Sequence, residues 1–188
     1  MIKMNETVER LKAIVGKENV LAGVEIDEKY GHDEALSIKA CAPSVLVKPG
    51  SAEEVARILS LANEERIPVT PRGGGTGLSG GCVAIADGIL LSLERMNRIL
   101  EIDEKNFVAV VEAGTILADF SKAVEAHELY YPIYPGEESA TIGGNVATNA
   151  GGMNAVKYGV TRHFVLGLEV VLPTGDIIET GGKYVKAS

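Results

Sequence analysis

Two stretches of this chain hold residues whose types and spacing suit ligand chemistry, and neither is built around a nucleophile or paired carboxylates. The first is Pro71-Arg72-Gly73-Gly74-Gly75-Thr76-Gly77-Leu78-Ser79-Gly80-Gly81, lying between the β-prone runs Ile67-Pro68-Val69-Thr70 and Ile89-Leu90-Leu91-Ser92-Leu93. Each glycine enlarges the unfolded ensemble and offers nothing to pack. A stable protein keeps such a loop where a large group must approach the main chain, or where several residues need positive φ. Successive exposed N–H groups then form a concavity for an anion, so the loop reads as a phosphate cradle. The second stretch runs from Pro135-Gly136 through Thr141-Ile142-Gly143-Gly144-Asn145 to Gly151-Gly152. Its small residues permit close approach, and Ser139, Thr141, Asn145, Thr148 and Asn149 supply hydroxyls and amides that orient a long polar ligand.

Two familiar phosphate binders fail against the first loop. A P-loop needs G-x-x-x-x-G-K-[ST]; Gly75 and Gly80 have that spacing, but Gly81-Cys82 stands where Lys-Ser/Thr is required. A Rossmann fingerprint is formally present at Gly75-x-Gly77-x-x-Gly80. It should open a helix, whereas residues 78–88 are short-sided and run straight into a strand. What remains is an extended ligand with an anionic middle that touches both stretches. A dinucleotide such as FAD fits, and so does a nucleotide-sugar.

The elements that must position these stretches can be read in order. Val8, Leu11, Ile14 and Val15 recur at helical spacing over residues 5–15, and Gly16 stops the helix. Residues 25–42 are polar and irregular. Residues 44–70 read as a β-α-β unit: Val45-Leu46-Val47, a helix opened by a Ser51–Glu54 capping box with Val55, Ile58, Leu59 and Ala62 inward, then Ile67-Pro68-Val69-Thr70, with the two strands parallel. The glycine loop leaves the carboxyl end of that second strand, where open α/β sheets bind ligands. Strands are expected over 89–93, 98–102 and 107–112. A helix capped by Thr115 should bury Ile116, Leu117, Phe120 and Val124 and run out near His127. A short helix over 142–150, capped by Ser139 or Thr141, would turn its first amides to a diphosphate. A hairpin over 166–172 and 176–180 follows.

The totals set the class. With 46% hydrophobic and 23% charged residues, the 188-residue chain has ordinary globular composition. A formal net charge of −8 and the lack of a basic cluster exclude a nucleic-acid surface. Cys41 and Cys82 match no metal or redox spacing and read as buried thiols in a reducing compartment. His32 lies among acidic residues without a second histidine at ligand spacing, so no metal site is expected, and His127 and His163 read as structural. The first residues carry no signal-type apolar region, and no apolar run reaches the roughly 18 residues of a membrane span. A cytoplasmic location is expected.

Three blocks resemble the FAD-binding domain of the vanillyl-alcohol-oxidase/para-cresol-methylhydroxylase (PCMH-type) flavoproteins. They are residues 71–77, residues 135–152, and Tyr158-Gly159 leading into Gly167-Leu168-Glu169-Val170-Val171-Leu172-Pro173-Thr174-Gly175. The nearest branch is the D-2-hydroxy-acid dehydrogenases, the glycolate oxidase subunit GlcD and cytochrome D-lactate dehydrogenase family. This resemblance implies an α+β fold, in which a small β-α-β lobe precedes a larger mixed or antiparallel sheet flanked by helices. It implies an N-terminal helix and extended arm over 1–42 and the FAD-binding domain over 43–188.

It further implies that Pro71, Arg72, Gly73, Gly74, Gly75, Thr76 and Gly77 surround the FAD diphosphate, with amides of residues 72–77 holding it. Pro135, Gly136, Ser139, Thr141, Ile142, Gly144, Asn145, Thr148, Gly151, Gly152 and Tyr158 would line the flavin and its ribityl chain. Val170 would lie at the adenine end. Thr76 stands where covalent members carry a flavin-linking histidine, so the FAD is expected to be non-covalent. In full-length relatives a hydride passes from the α-carbon of a 2-hydroxy acid to flavin N5, and electrons leave to a quinone, cytochrome or partner redox subunit. Their substrate cap, carboxylate-binding arginine and catalytic histidines lie beyond residue 188, so this chain reads as an N-terminal portion with no catalytic residue of its own. The competing reading is a stand-alone FAD-binding or assembly module, or a truncated product.

Overall fold

In a computed structural model the described residues are 2–184, and they form two compact units. One comprises Met1–Arg95 with Val170–Ile178, the other Met96–Glu169 with Glu179–Ser188.

The first unit is a four-stranded sheet with its helices. α1 (Ile2–Val15) ends where Gly16 takes φ 88°, and it packs against α2 (Ala52–Glu65) and β1 (Val20–Ala22). The strands lie in the order β1, β2 (Val45–Val47), β4 (Ile89–Ser92), β3 (Val69–Arg72). β1 is antiparallel to β2, while β2 and β3 both run parallel to β4. The β-α-β unit read over 44–70 thus leaves a gap between its strands, and β4 fills it. This central strand is apolar from Ile89 to Leu91 and buried along its length, as a parallel strand covered on both faces must be.

Strand alternation puts Leu46 and Leu90, paired in register, on one face with Tyr30 and Ala84. The N-terminal arm therefore supplies part of the core: β1 is its first strand, and Tyr30 is 5% exposed. α2 buries Val55, Ile58, Leu61 and Ala62. Its capping box is displaced by one residue. The Ser51 hydroxyl accepts from the Glu54 N–H at 3.3 Å, but the Glu54 carboxylate accepts from the N–H of Gly50 at 2.6 Å.

The second unit begins with β5 (Ile99–Asp103) and β6 (Val108–Val111), an antiparallel pair with an irregular register between Ile99 and Glu101. Asp103 closes their turn, accepting from the N–H groups of Lys105 and Asn106. Phe107, expected in the strand, sits in this turn with φ 56°. α3 (Leu117–Glu125) buries Leu117, Phe120 and Val124. α4 (Ile142–Thr148) and α5 (Ala155–Tyr158) are short. The hairpin of β7 (Gly167–Val171) and β8 (Ile177–Gly181) has its tip counted with the first unit and its base with the second. The fold is α+β, but the larger sheet expected after the first lobe is not assembled from the described residues, whose ladders outside the four-stranded sheet are two-stranded. No helix among the described residues is long and apolar enough to cross a membrane.

Leu46 is fully buried at the middle of the sheet. Leu46→Ala should cost about 2–5 kcal/mol of unfolding free energy, and Ser51→Ala about 1 kcal/mol, both read from urea unfolding.

Candidate functional site

Because β2, β3 and β4 are parallel, the residues that follow them emerge at one edge of the sheet. Lys48 follows β2, Ser92 and Glu94 end and follow β4, and Arg72 ends β3. All four converge on Tyr30. Its hydroxyl donates to Glu94 at 2.8 Å, the Ser92 hydroxyl donates to the same carboxylate at 3.1 Å, and Lys48 Nζ lies 2.6 Å from it. The ammonium of Lys48 and the guanidinium of Arg72 stand 5.2 and 5.8 Å from the Tyr30 ring centroid. Burial alone would raise the Glu94 carboxyl, but the bonds from Lys48 and Tyr30 hold it below its ordinary value.

The Arg72 side chain is no part of the cradle, for the residue is 7% exposed and its guanidinium is turned into the arm. Nη1 donates to the carbonyl of His32 at 2.8 Å and Nη2 to that of Lys29 at 2.9 Å. Gly75, at φ 78°, lies so close to this guanidinium that a Cβ would collide with it. Further along, the Gly77 carbonyl accepts from the Glu34 N–H at 3.0 Å. Between these two fixed points, among the described residues, none of the N–H groups of residues 73–77 donates to a protein acceptor. Five consecutive amides are thereby left for a ligand. Pro71, Thr76 and Val170 fall in this unit with them.

The polar segment 25–42 is thus a strap and not merely a solvated loop. His32 itself is exposed, with Nδ1 3.2 Å from the Asp33 carbonyl, and no cluster among the described residues suits a metal. The cysteines are free, but they are half-buried where burial was expected. Cys82 Sγ lies 3.5 Å from Arg72 Nη1, and burial pushes its thiol up.

The second stretch is suspended from residues 112–115. Glu112 is buried and accepts from the backbone N–H of Arg98 at 2.8 Å and from its guanidinium at 2.6 and 3.1 Å. Thr115 does not cap α3: it is wholly buried, and its hydroxyl donates to the Arg98 carbonyl at 3.2 Å. From this braced strip the Ala113 carbonyl accepts from the Gly143 N–H and the Thr115 carbonyl from the Ile142 N–H, both at 2.8 Å. The Thr141 hydroxyl caps α4 by accepting from the Gly144 N–H at 3.1 Å. The first amides of α4 are therefore spent on protein acceptors, contrary to the expectation that they face a diphosphate.

Side chains in this stretch divide in the same way. Ser139 does not cap; its N–H and hydroxyl both donate to Glu137. The Thr148 hydroxyl donates back to the Gly144 carbonyl, and Asn149 accepts from the Arg162 N–H. Asn145 stands apart: it is 3% exposed, and its Nδ2 has no partner. Gly152, at φ 111°, presses on the Tyr134 carbonyl so closely that no Cβ fits, so packing alone explains that glycine. Pro135, Gly136 and Gly151 lie in the same unit, and Tyr158 stacks edge-on against Tyr130 with centroids 6.3 Å apart.

Residues 43–181 match the family model of the FAD binding domain. The chain belongs to this family. It is 50% identical over 183 residues to a D-lactate dehydrogenase of Anaerostipes hadrus, covering 97% of this chain and 38% of that protein. It is 48% identical over 158 residues to the glycolate oxidase subunit GlcD of Bacillus subtilis, covering 84% and 33%. Among solved structures, p-cresol methylhydroxylase with substrate bound superposes with a TM-score of 0.83 at 26% identity, covering 96% of this chain and 36% of that one. The chain therefore spans well under half the length of these relatives. Its residues fit a flavin dinucleotide. The unpartnered amides of residues 73–77 suit a diphosphate, and the orphaned, buried Nδ2 of Asn145 is a donor in need of an acceptor.

Glu112 carries a pH consequence. Hydrogen bonds from Arg98 hold its carboxyl below its ordinary 4.5, against an opposing effect of burial. A carboxyl depressed in the folded state contributes stability above its unfolded value and loses it as pH falls through the folded one. Thermal unfolding followed from pH 6 to about pH 3 should show the wild-type melting temperature falling through the carboxylate range. Glu112→Gln should be less stable at pH 6 and lack that share of the decline.

Proposed function

We propose that this chain is the FAD-binding part of a flavin-dependent 2-hydroxy-acid dehydrogenase of the D-lactate or glycolate type, and that its FAD is dissociable. The observation that carries the reading is the run of five unpartnered amides at residues 73–77, on a chain whose family is the FAD binding domain. Relatives named D-lactate dehydrogenase and glycolate oxidase subunit GlcD, at 50% and 48% identity, support the substrate class. When bound, FAD supplies the two-electron acceptor for the hydride on the substrate α-carbon.

The chain's own residues have a narrower task. The amides of residues 73–77 hold the diphosphate as fixed dipoles that need no reorganisation. Asn145 Nδ2 donates to an acceptor on the flavin side, and Gly136 and Gly144 keep the second stretch low enough for a flat ring to approach. Thr76 has no nucleophilic nitrogen, so no bond to the flavin forms there. No residue of this chain is assigned the proton of the substrate hydroxyl; its histidines make local contacts, His32 with Asp33, His127 with Glu104 at 2.5 Å, and His163 Nδ1 with the Val160 N–H at 3.3 Å. The second reading is a module that binds FAD without turnover.

The test is direct. The purified chain mixed with FAD and desalted should retain a flavin spectrum, and acid precipitation should release all of the flavin to the supernatant. D-lactate or glycolate should leave the flavin absorbance unbleached. A chain that takes up no flavin contradicts the proposal; bleaching by either acid would show that the chain holds its own proton acceptor.

A further inference from the structure

Arg72 is the one cation in the glycine loop, and its chemistry would suit a diphosphate directly. The structure uses it otherwise. Its guanidinium is buried, and its two terminal nitrogens bridge the carbonyls of Lys29 and His32, three residues apart on the arm. The planar fork of arginine spans two acceptors at fixed separation, which a lysine ammonium cannot do.

The contacts of the arm fall at the ends of the unpartnered run. Arg72 fixes the residue before it. The Glu34 N–H, donating to the Gly77 carbonyl at 3.0 Å, fixes its last residue. Beyond it, Gly80 is packed so tightly on Ile38 that a Cβ would come within 2.8 Å of that side chain. The arm is stiff where it does this. Asp33 accepts from the Ala35 N–H at 3.0 Å, the Cys41 N–H returns to the Gly31 carbonyl at 2.8 Å, and Tyr30 is anchored in the core. A run containing four glycines would otherwise be among the costliest segments to order on binding, since each fixed backbone residue costs about 1–2 kcal/mol of conformational entropy. Fastening both ends in the free protein removes much of that cost from the binding step.

We propose that Arg72 is a positioning residue for the cofactor, clamping the arm at residues 29–32 beneath the glycine loop so that the amides of residues 73–77 are held ready for a diphosphate. Cofactor affinity is then set partly by an arm that lies outside the run of unpartnered amides. This rests on the assignment of the FAD diphosphate to residues 73–77. Linkage requires the converse: a ligand on the loop must stabilise the arm.

The experiment compares the wild-type chain with Arg72→Lys. FAD affinity is taken from flavin fluorescence titration well below the melting temperature of each apo protein, and amide hydrogen exchange at residues 29–38 is followed with and without FAD. Wild type should bind FAD, and its arm amides should exchange more slowly in the complex. Arg72→Lys should bind FAD at least about tenfold more weakly while still folded, and FAD should protect its arm less. Equal affinity in the two folded proteins overturns the clamp and leaves the FAD assignment standing. So does a wild-type arm whose exchange is unchanged by bound FAD, and this decides the matter alone if Arg72→Lys does not fold. A wild-type chain that binds no FAD overturns both.

Discussion

The first unit depends on one buried guanidinium and the two carbonyls that receive it. Arg72 ends β3 with its backbone in the sheet and its side chain beneath the arm. This allows an otherwise shapeless glycine run to leave the sheet edge with a defined course. A buried charge is tolerated only when hydrogen-bonded, and here the acceptors are main-chain atoms, which fix backbone to backbone. The Tyr30 ring against the guanidinium, and the Glu94–Lys48–Ser92 cluster that holds the Tyr30 hydroxyl, tie the same point into the core. Gly75 is required by that arrangement, because any side chain there would meet Arg72.

The second unit uses a different device for a similar end. At the start of α4 it spends amides instead of leaving them open. The strip at residues 112–115, braced by Arg98, takes up the N–H groups of Ile142 and Gly143, and Thr141 takes up that of Gly144. With the backbone of α4 satisfied, the polar group left over is a side chain, the Asn145 amide. The two glycine-rich stretches therefore differ in kind. One offers main-chain donors for an anion; in the other, α4 offers a buried side-chain donor above a satisfied backbone.

Much of this was legible in the sequence where local rules decide. The helix ending at Gly16, the Ser51 cap, the buried run Ile89-Leu90-Leu91 and the hairpin around Pro173-Thr174-Gly175 follow from periodicity, capping and turn chemistry. The family followed from a resemblance carried by three blocks, residues 71–77, 135–152 and 158–175. What stayed hidden was long-range pairing. Nothing local says that β4 enters between β2 and β3, or that Tyr30 belongs to the core. Nor does composition announce where the Arg72 guanidinium goes, because its carbonyl acceptors lie 40 and 43 residues away. The first amides of α4 misled for the same reason, and Gly152 shows why: a backbone pressed on another backbone and one opened to a ligand call for the same residues.

The central claim is that the main chain of residues 73–77 receives the cofactor diphosphate, and a crystal structure of this chain soaked with FAD tests it most directly. The account predicts diphosphate oxygens at about 3 Å from several of those amide nitrogens, with the Arg72 guanidinium still on the carbonyls of Lys29 and His32. A diphosphate bound elsewhere, or an Arg72 side chain swung out to meet it, would contradict the account.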